Sequence, residues 1–153
     1  MKNNTTLFIQ SLIIIFGMVV LFFLIRVPLT EGRAVNLDLY HIYADPFILF
    51  GYLASVPFFF ALYKGYKLLE YIGQKEKFSY KAISALKTIK YCAILFCIFI
   101  IAAAIFIISF HNKEDDPAGF IALCTLTTFL SLVVACIAIF FEKKLKKEIA
   151  KKL

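Results

Sequence analysis

The stretch 91–110, YCAILFCIFIIAAAIFIISF, decides the fold of this chain. It contains no Asp, Glu, Lys, Arg or His over twenty consecutive residues. A helix rises about 1.5 Å per residue and the hydrocarbon core of a bilayer is about 30 Å thick, so a run of this length crosses a membrane. The whole chain is 62% hydrophobic, whereas soluble domains are nearer 45–50% apolar. Composition and this run together predict an integral membrane protein.

Three further apolar runs without charged residues reach or approach the length that spans a bilayer: 7–25, 46–63 and 120–141. The absence of charge favours insertion and argues against a proton relay or an ion path built on buried charge. The first run is longer than a signal-peptide core and lacks a cleavage site after Arg26, so we expect an uncleaved anchor. The chain is predicted to be all-α: a single polytopic domain (1–153) of four transmembrane helices, arranged as two antiparallel hairpins.

Basic residues predict the orientation of these helices. Seven lysines lie in the connection 64–90 and six in the tail 142–153, whereas the other two connections hold three basic residues between them. The positive-inside rule then places both termini and the connection 64–90 in the cytoplasm. The net charge of +7 is explained by the anionic lipid of the inner leaflet, and direct binding of nucleic acid is not expected.

Both outer connections end in an Asp-Pro pair. Asp45-Pro46 and Asp116-Pro117 are predicted to open the second and fourth helices, with Asp as N-cap and Pro at the first helical position. Glu114 and Asp115 add negative charge near the positive end of the fourth helix. Asp45, Glu114, Asp115 and Asp116 therefore form a predicted outer acidic cap. Capping and solvation explain it, and a cation site is the alternative.

Small residues predict how the third and fourth helices pack, because membrane helices associate through small side chains and interhelical hydrogen bonds. On the fourth helix Cys124, Thr128, Ser131, Ala135 and Ala138 share one side, and on the third Ala93, Cys97 and Ala104 do so. A substrate groove is the alternative for the Thr/Ser side.

The second helix contains a similar pair, Gly51 and Ser55, and an internal Pro57 that predicts a kink. All four cysteines lie inside spans and are expected to behave as small apolar residues. Cys97 and Cys136 are predicted to lie at similar depth and to form an oxidative cross-link.

The connection 64–90, here named the basic hairpin, is the segment most free to act. Gly73 is predicted to end the second helix and Ser79 to cap the third, so that both helices project beyond the bilayer. The hairpin is a candidate docking surface for a cytoplasmic protein. Its alternative is a plain connector whose lysines reach lipid phosphates. The predicted docking lysines are Lys75, Lys77, Lys81, Lys87 and Lys90.

Three stretches resemble a known family: ALYKGYKLLEYIGQKEKFSYKAISALKTIKYCAI, EDDPAGFIAL and VVACIAIFFEKKLKKEIA. They are similar to a bacterial domain-of-unknown-function family of small four-helix membrane proteins. The more specific features are the Phe78-Ser79 helix start and the acidic turn before Gly119, where Pro117 follows Asp rather than the expected Ala. The resemblance implies a protein of the bacterial cytoplasmic membrane, often encoded beside a small helix-turn-helix regulator, and it carries over no catalytic residues.

The sequence therefore favours a non-enzymatic regulatory or sensory protein that docks a cytoplasmic partner, for which a transcription regulator is one candidate. The alternatives are an immunity protein against a membrane-active peptide and a small transporter subunit. An enzyme is not expected, because His41 and His111 are the only histidines and neither has the spacing of a catalytic or metal site. No cofactor is predicted, and a homo-oligomer stays open.

Overall fold

The computed structural model of the chain describes residues 4–30, 38–74, 79–110 and 116–153. These residues form helices and no strand. Four of the helices are long and apolar enough to cross a membrane, so the predicted all-α fold with four spanning helices is confirmed. In chain order the helices are α1 (Asn4–Thr30), α2 (Leu39–Tyr43), α3 (Pro46–Gly73), α4 (Tyr80–Phe110) and α5 (Ala118–Lys152).

Hydrogen bonds between α1 and α3 show that these helices run antiparallel. Gln10, near the start of α1, donates through Nε2 to the carbonyl oxygen of Tyr66 at 3.3 Å. At the other end of α1 the Tyr52 hydroxyl donates to the Leu24 carbonyl at 2.9 Å. The start of α1, the end of α3, the start of α4 and the end of α5 therefore share one end of the molecule, here named the Lys-rich end.

The helices are longer than the bilayer requires. α5 has 35 residues, which is about 52 Å of helix against about 30 Å of hydrocarbon. Its apolar run stops at residue 141. Likewise α3 extends past its apolar run 46–63 as far as Gly73, and α4 begins at Tyr80, before its apolar run 91–110. The surplus length of all three helices therefore lies at the Lys-rich end.

Two of the four predicted acidic-cap residues, Asp45 and Asp116, are observed at helix starts. Asp45 accepts a 2.8 Å hydrogen bond from the backbone N–H of Phe47, as an N-cap should. In α5 the helix begins at Ala118, one residue later than predicted, and Pro117 occupies the cap position. Asp116 still satisfies the free N–H of Ala118 at 3.0 Å.

The two helix boundaries predicted within the basic hairpin are observed. α3 ends at Gly73, and Ser79 Oγ accepts a 3.3 Å hydrogen bond from the backbone N–H of Ala82 in the first turn of α4. Lys75 and Lys77 lie outside the described residues, as do Glu114 and Asp115 of the acidic cap.

α1 continues past a proline that the sequence analysis did not use. Pro28 lies inside the helix, and its missing N–H leaves the carbonyl of Leu24 without its usual helical donor. The Tyr52 hydroxyl supplies that bond at 2.9 Å, and the Tyr43 hydroxyl donates to the next carbonyl, that of Ile25, at 2.9 Å. Tyr52 of α3 thus replaces the donor that Pro28 removes, and Tyr43 of α2 adds a second hydrogen bond to α1 beside it.

The α4–α5 interface matches the predicted small faces. Ser131 Oγ donates to the Ala93 carbonyl at 2.9 Å, and Cys97 Sγ lies 3.8 Å from the Thr128 carbonyl. Interhelical bonds of this kind require the two backbones to approach closely. The buried residues of the interface are Ala93, Cys97, Cys124, Ser131, Ala135 and Ala138.

The predicted cross-link between Cys97 and Cys136 is wrong. Cys97 is buried against Thr128, whereas Cys136 is exposed on another side of α5. Eight residues separate Thr128 from Cys136, which corresponds to about 12 Å along a helix. The predicted cross-link therefore placed Cys136 on the wrong side of α5 as well as at the wrong depth.

A different cysteine pair should report the observed register. In a chain whose four native cysteines are replaced by alanine, we expect Ala93→Cys with Ser131→Cys to form an intramolecular disulfide on mild oxidation in membranes. The Ser131 hydroxyl already lies against the backbone of residue 93. Gel mobility under non-reducing conditions measures the product. A control chain that keeps only Cys97 and Cys136 should stay uncross-linked, and the reverse pattern would contradict this register.

The helices form an open row rather than a closed bundle. α1 packs on α3, α3 on α4 and α4 on α5, whereas α1 and α5 share no comparable interface. Between them is a groove of about 810 Å³ whose lining comes from all four spanning helices. The Gly51–Ser55 pair, predicted to pack against a helix, instead lines this groove, and a Cβ at Gly51 would meet no atom within 4 Å.

Candidate docking surface

The first turns of α4 form a rigid element at the Lys-rich end. Ala82, Ile83, Ala85 and Leu86 are all buried there, and Ala82 is 0% exposed. Successive helical residues are about 100° apart, so these four cover an arc of about 160°. Both α3 and α5 pack on α4. The segment is therefore held by its own apolar side and is more than a loose connector.

The other side of the same turns is polar and exposed. We name it the basic face, and its members are Tyr80, Lys81, Ser84 and Lys87. On an ideal helix these residues fall within an arc of about 120°. The Tyr80 side chain is 71% exposed. Two of the five predicted docking lysines, Lys81 and Lys87, are thus brought onto one accessible surface.

Lys90 turns away from the basic face. Its side chain is 19% exposed, and its Nζ lies 3.1 Å from Oε2 of Glu142. The same nitrogen lies 4.9 Å from the ring centroid of Tyr91. Lys90 therefore links α4 to α5 inside the protein, and of the predicted docking set it is the described member least accessible to a partner.

Glu142 is the centre of a charge cluster that the sequence analysis missed. It is 5% exposed, and it accepts hydrogen bonds from Lys146 at 2.7 Å and from Lys90 at 3.1 Å. Glu142 is the first residue beyond the apolar run 120–141. The hydrogen bond from Lys146, followed by that from Lys90, holds the pKa of this carboxyl below its usual value, although burial alone raises it.

One sequence signal pointed to this cluster. Glu142 follows the apolar run directly, whereas the rest of the tail is dominated by lysine. Position alone could not show which lysine of another helix reaches it. That partner is set by the register between α4 and α5, which places Lys90 beside the last turn of the apolar run.

The acidic residues at the opposite end are used as caps where the structure describes them. Asp45 and Asp116 each accept a backbone N–H of the helix that follows. Among residues 4–30, 38–74, 79–110 and 116–153, no group of three His, Cys, Asp or Glu side chains is arranged to hold a metal ion. These positions show helix capping; Glu114 and Asp115, on which the alternative cation site also depends, lie outside the described residues.

Comparisons with known proteins agree with this architecture. The family model described as "Protein of unknown function (DUF2975)" matches residues 29–152, from the end of α1 to the end of α5. The chain is also 32% identical over 151 residues to the "Uncharacterized membrane protein YoaS" of Bacillus subtilis (strain 168), covering 97% of this chain and 94% of that protein. No solved structure matches the chain. The chain is an integral membrane protein and belongs to the DUF2975 family of proteins of unknown function.

Proposed function

We propose that this protein is a non-enzymatic membrane partner that docks an acidic cytoplasmic protein on the basic face of α4. The observation that carries the proposal is the division of the first α4 turns. One side, formed by Ala82, Ile83, Ala85 and Leu86, is buried in the molecule, while Lys81 and Lys87 are exposed on the other. A preformed surface binds a partner without the entropic cost of ordering a loop.

The distance of each lysine from the bilayer indicates whether its charge meets lipid phosphates or is available to a soluble protein. Lys87 lies four residues before the apolar run 91–110, about 6 Å of helix, which is the depth of the headgroups. Lys81 lies ten residues before it, about 15 Å, which is roughly one Debye length beyond the headgroup layer. Lipid phosphates therefore neutralise Lys87 far better than Lys81. The charge of Lys81 remains available to a soluble protein.

The chemistry of the basic face indicates the kind of partner. Lys81, with a smaller contribution from Lys87 at headgroup depth, steers an acidic surface, and electrostatic steering raises the association rate more than the final affinity. The exposed ring of Tyr80 beside them offers an aromatic anchor of the type enriched at interface centres. The helix-turn-helix regulator implied by the family resemblance is the partner class that we propose to test first.

Other functions receive less support from the described residues. The caps at Asp45 and Asp116 are occupied by backbone N–H groups, which does not favour the peptide-immunity alternative. The lining of the groove contains no charged side chain, which is unsuited to carrying ions. The non-enzymatic part of the proposal is supported by the sequence, in which neither His41 nor His111 has the spacing of a catalytic or metal site.

The test is a cross-linking pull-down of the tagged protein from its native membrane, followed by mass spectrometry. We expect an acidic cytoplasmic protein, cross-linked near Lys81, to be recovered with the wild type. Recovery should fall about tenfold or more in Lys81→Glu/Lys87→Glu, because attraction at both positions becomes repulsion.

The matched control is Lys144→Glu/Lys147→Glu, which makes the same change in net charge at two exposed lysines of α5. Lys90 is left intact, because its reversal would break the internal pair with Glu142. Equal losses in both double variants would mean that net charge, and not the basic face, is recognised. Undiminished recovery in Lys81→Glu/Lys87→Glu would refute the proposed surface.

A further inference from the structure

The groove between the four spanning helices runs through almost the whole thickness of the membrane. On α3 its lining extends from Phe47 to Gly65, eighteen residues apart, or about 27 Å of helix. The hydrocarbon core is about 30 Å thick. The groove thus follows the direction of the lipid chains and is open on the side where α1 and α5 do not pack together.

The lining offers no free hydroxyl donor to an occupant. Three hydroxyl side chains face the groove, and each already donates to a backbone carbonyl of its own helix or its neighbour. Ser55 donates to Tyr52 at 2.6 Å, Thr127 to Leu123 at 2.7 Å and Ser131 to Ala93 at 2.9 Å. The rest of the lining is aliphatic, aromatic, glycine or cysteine. An occupant is therefore selected for apolar surface and for shape.

The dimensions suit a hydrocarbon chain. The groove encloses about 810 Å³ along about 27 Å of helix, so it is long, narrow and parallel to the acyl chains of the bilayer. An extended alkyl chain can lie along its whole length. Leaving the space empty would forfeit dispersion contacts along its walls.

A positive charge lies one residue from the lining of the groove, at its Lys-rich end. Lys64 directly precedes Gly65, which lines the Lys-rich end of the groove. Its Nζ lies 5.6 Å from the ring centroid of Phe60 and 6.0 Å from that of Tyr63. Among the described residues its ammonium makes no ion pair with a carboxylate. It is therefore available to a phosphate at headgroup depth.

We propose that this groove binds one anionic phospholipid, with an acyl chain between α1, α3, α4 and α5 and the phosphate beside Lys64. The lipid fills the space that the open row leaves and completes the packing of helices that have few protein neighbours. This inference is independent of the docking function proposed for the basic face.

The test uses the full-length protein purified in a mild non-ionic detergent. Native mass spectrometry counts the lipids retained after incubation with phosphatidylglycerol or with phosphatidylcholine at equal concentration. We expect one phosphatidylglycerol to be retained by the wild type. Gly51→Leu places a side chain in the open part of the groove and should weaken retention about tenfold or more.

Gly119→Leu is the matched control. A Cβ at Gly119 also meets no atom within 4 Å, but this glycine is not part of the groove lining. Both substitutions replace a helical glycine by the same leucine, so a difference in lipid retention reports on the groove. Circular dichroism of both variants checks that the helical content is unchanged.

Lys64→Gln tests the headgroup. It should reduce the preference for phosphatidylglycerol over phosphatidylcholine about fivefold, the effect of roughly one lysine near an anionic surface, while Lys144→Gln should leave that preference unchanged. Equal lipid retention by Gly51→Leu and Gly119→Leu would overturn the proposal. So would a loss of dimers, rather than of lipid, in Gly51→Leu, because the occupant would then be a second copy of the chain.

Discussion

Replacing Glu142 by alanine should lower the free energy of unfolding by about 2–4 kcal/mol, because a buried acceptor is removed from between two lysines. Glu142 is 5% exposed, and the Lys90 side chain opposite it is only 19% exposed. Without the carboxylate, Lys90 remains half-buried beside α5 with no counter-charge. Unfolding in detergent micelles at increasing SDS, followed by the helical signal in circular dichroism, measures the change.

Lys146→Ala is the control for this effect. The Lys146 side chain also pairs with Glu142, at 2.7 Å, but it is 51% exposed, and loss of an exposed pair costs less than about 1 kcal/mol. The double variant Lys90→Met/Glu142→Leu should recover much of the loss, since an apolar pair of similar size replaces the ions. If Glu142→Ala and Lys146→Ala were equally stable, the link between α4 and α5 through Lys90 would be refuted.

The same cluster predicts a dependence on pH. The pKa of Glu142 is lowered in the folded protein, first by the hydrogen bond from Lys146. The carboxylate therefore contributes stability that is fully present above its ordinary pKa of 4.5 and is lost as the pH falls through the lower folded-state pKa. Below about pH 4.5 the wild type should lose stability more steeply than Glu142→Ala. Parallel acid titrations of the two proteins would contradict this.

Enlarging Ala135 to leucine should destabilise the protein by about 1–3 kcal/mol, because the added carbons must force two closely packed backbones apart. Ala135 is 4% exposed and lies one turn beyond Ser131, whose hydroxyl bonds to the Ala93 carbonyl of α4 at 2.9 Å. The same SDS unfolding experiment measures the loss. The cysteine pair at positions 93 and 131 should also cross-link less efficiently in this variant.

Ala122→Leu provides the comparison within the same helix. Ala122 is exposed, so a leucine there faces lipid, where added apolar volume meets no packed neighbour. We expect that variant to unfold like the wild type. A loss of stability in Ala122→Leu as large as in Ala135→Leu would mean that bulk anywhere on α5 is harmful, and that the Ala135 interface has no special role.

Length, composition and small-residue spacing predicted much of the fold. Apolar runs of about twenty residues are required by the bilayer, and they do not depend on which helices become neighbours. The ends of the basic hairpin at Gly73 and Ser79 and the cap at Asp45 depend on local backbone needs, which one segment satisfies by itself. The buried side of α5 from Cys124 to Ala138 was also predicted, because periodicity identifies one side of a helix.

The relative register of helices could not be obtained in the same way. Sliding one helix along another leaves each periodic pattern unchanged but alters which residues meet. This explains the missed pair between Lys90 and Glu142 and the wrong depth given to Cys136. The side of α5 on which Cys136 lies follows from helical spacing alone and was overlooked. The unknown register also explains why Lys90 was predicted to be accessible. Lysine is usually a surface residue, but this side chain pairs with Glu142 inside the protein. Gly51 was predicted to pack against a helix for a related reason, since a small residue is equally compatible with close contact and with an open groove.

The bond between the Tyr52 hydroxyl and the Leu24 carbonyl constrains the order of events during synthesis. Pro28 removes the helical donor of that carbonyl, and its replacement lies 28 residues later in the chain. At roughly 5–20 residues per second, the ribosome makes Tyr52 about 1–6 s after Leu24. Leu24 is thus made before the residue that supplies its hydrogen-bond donor, and α1 reaches its final hydrogen bonding only when α3 joins it.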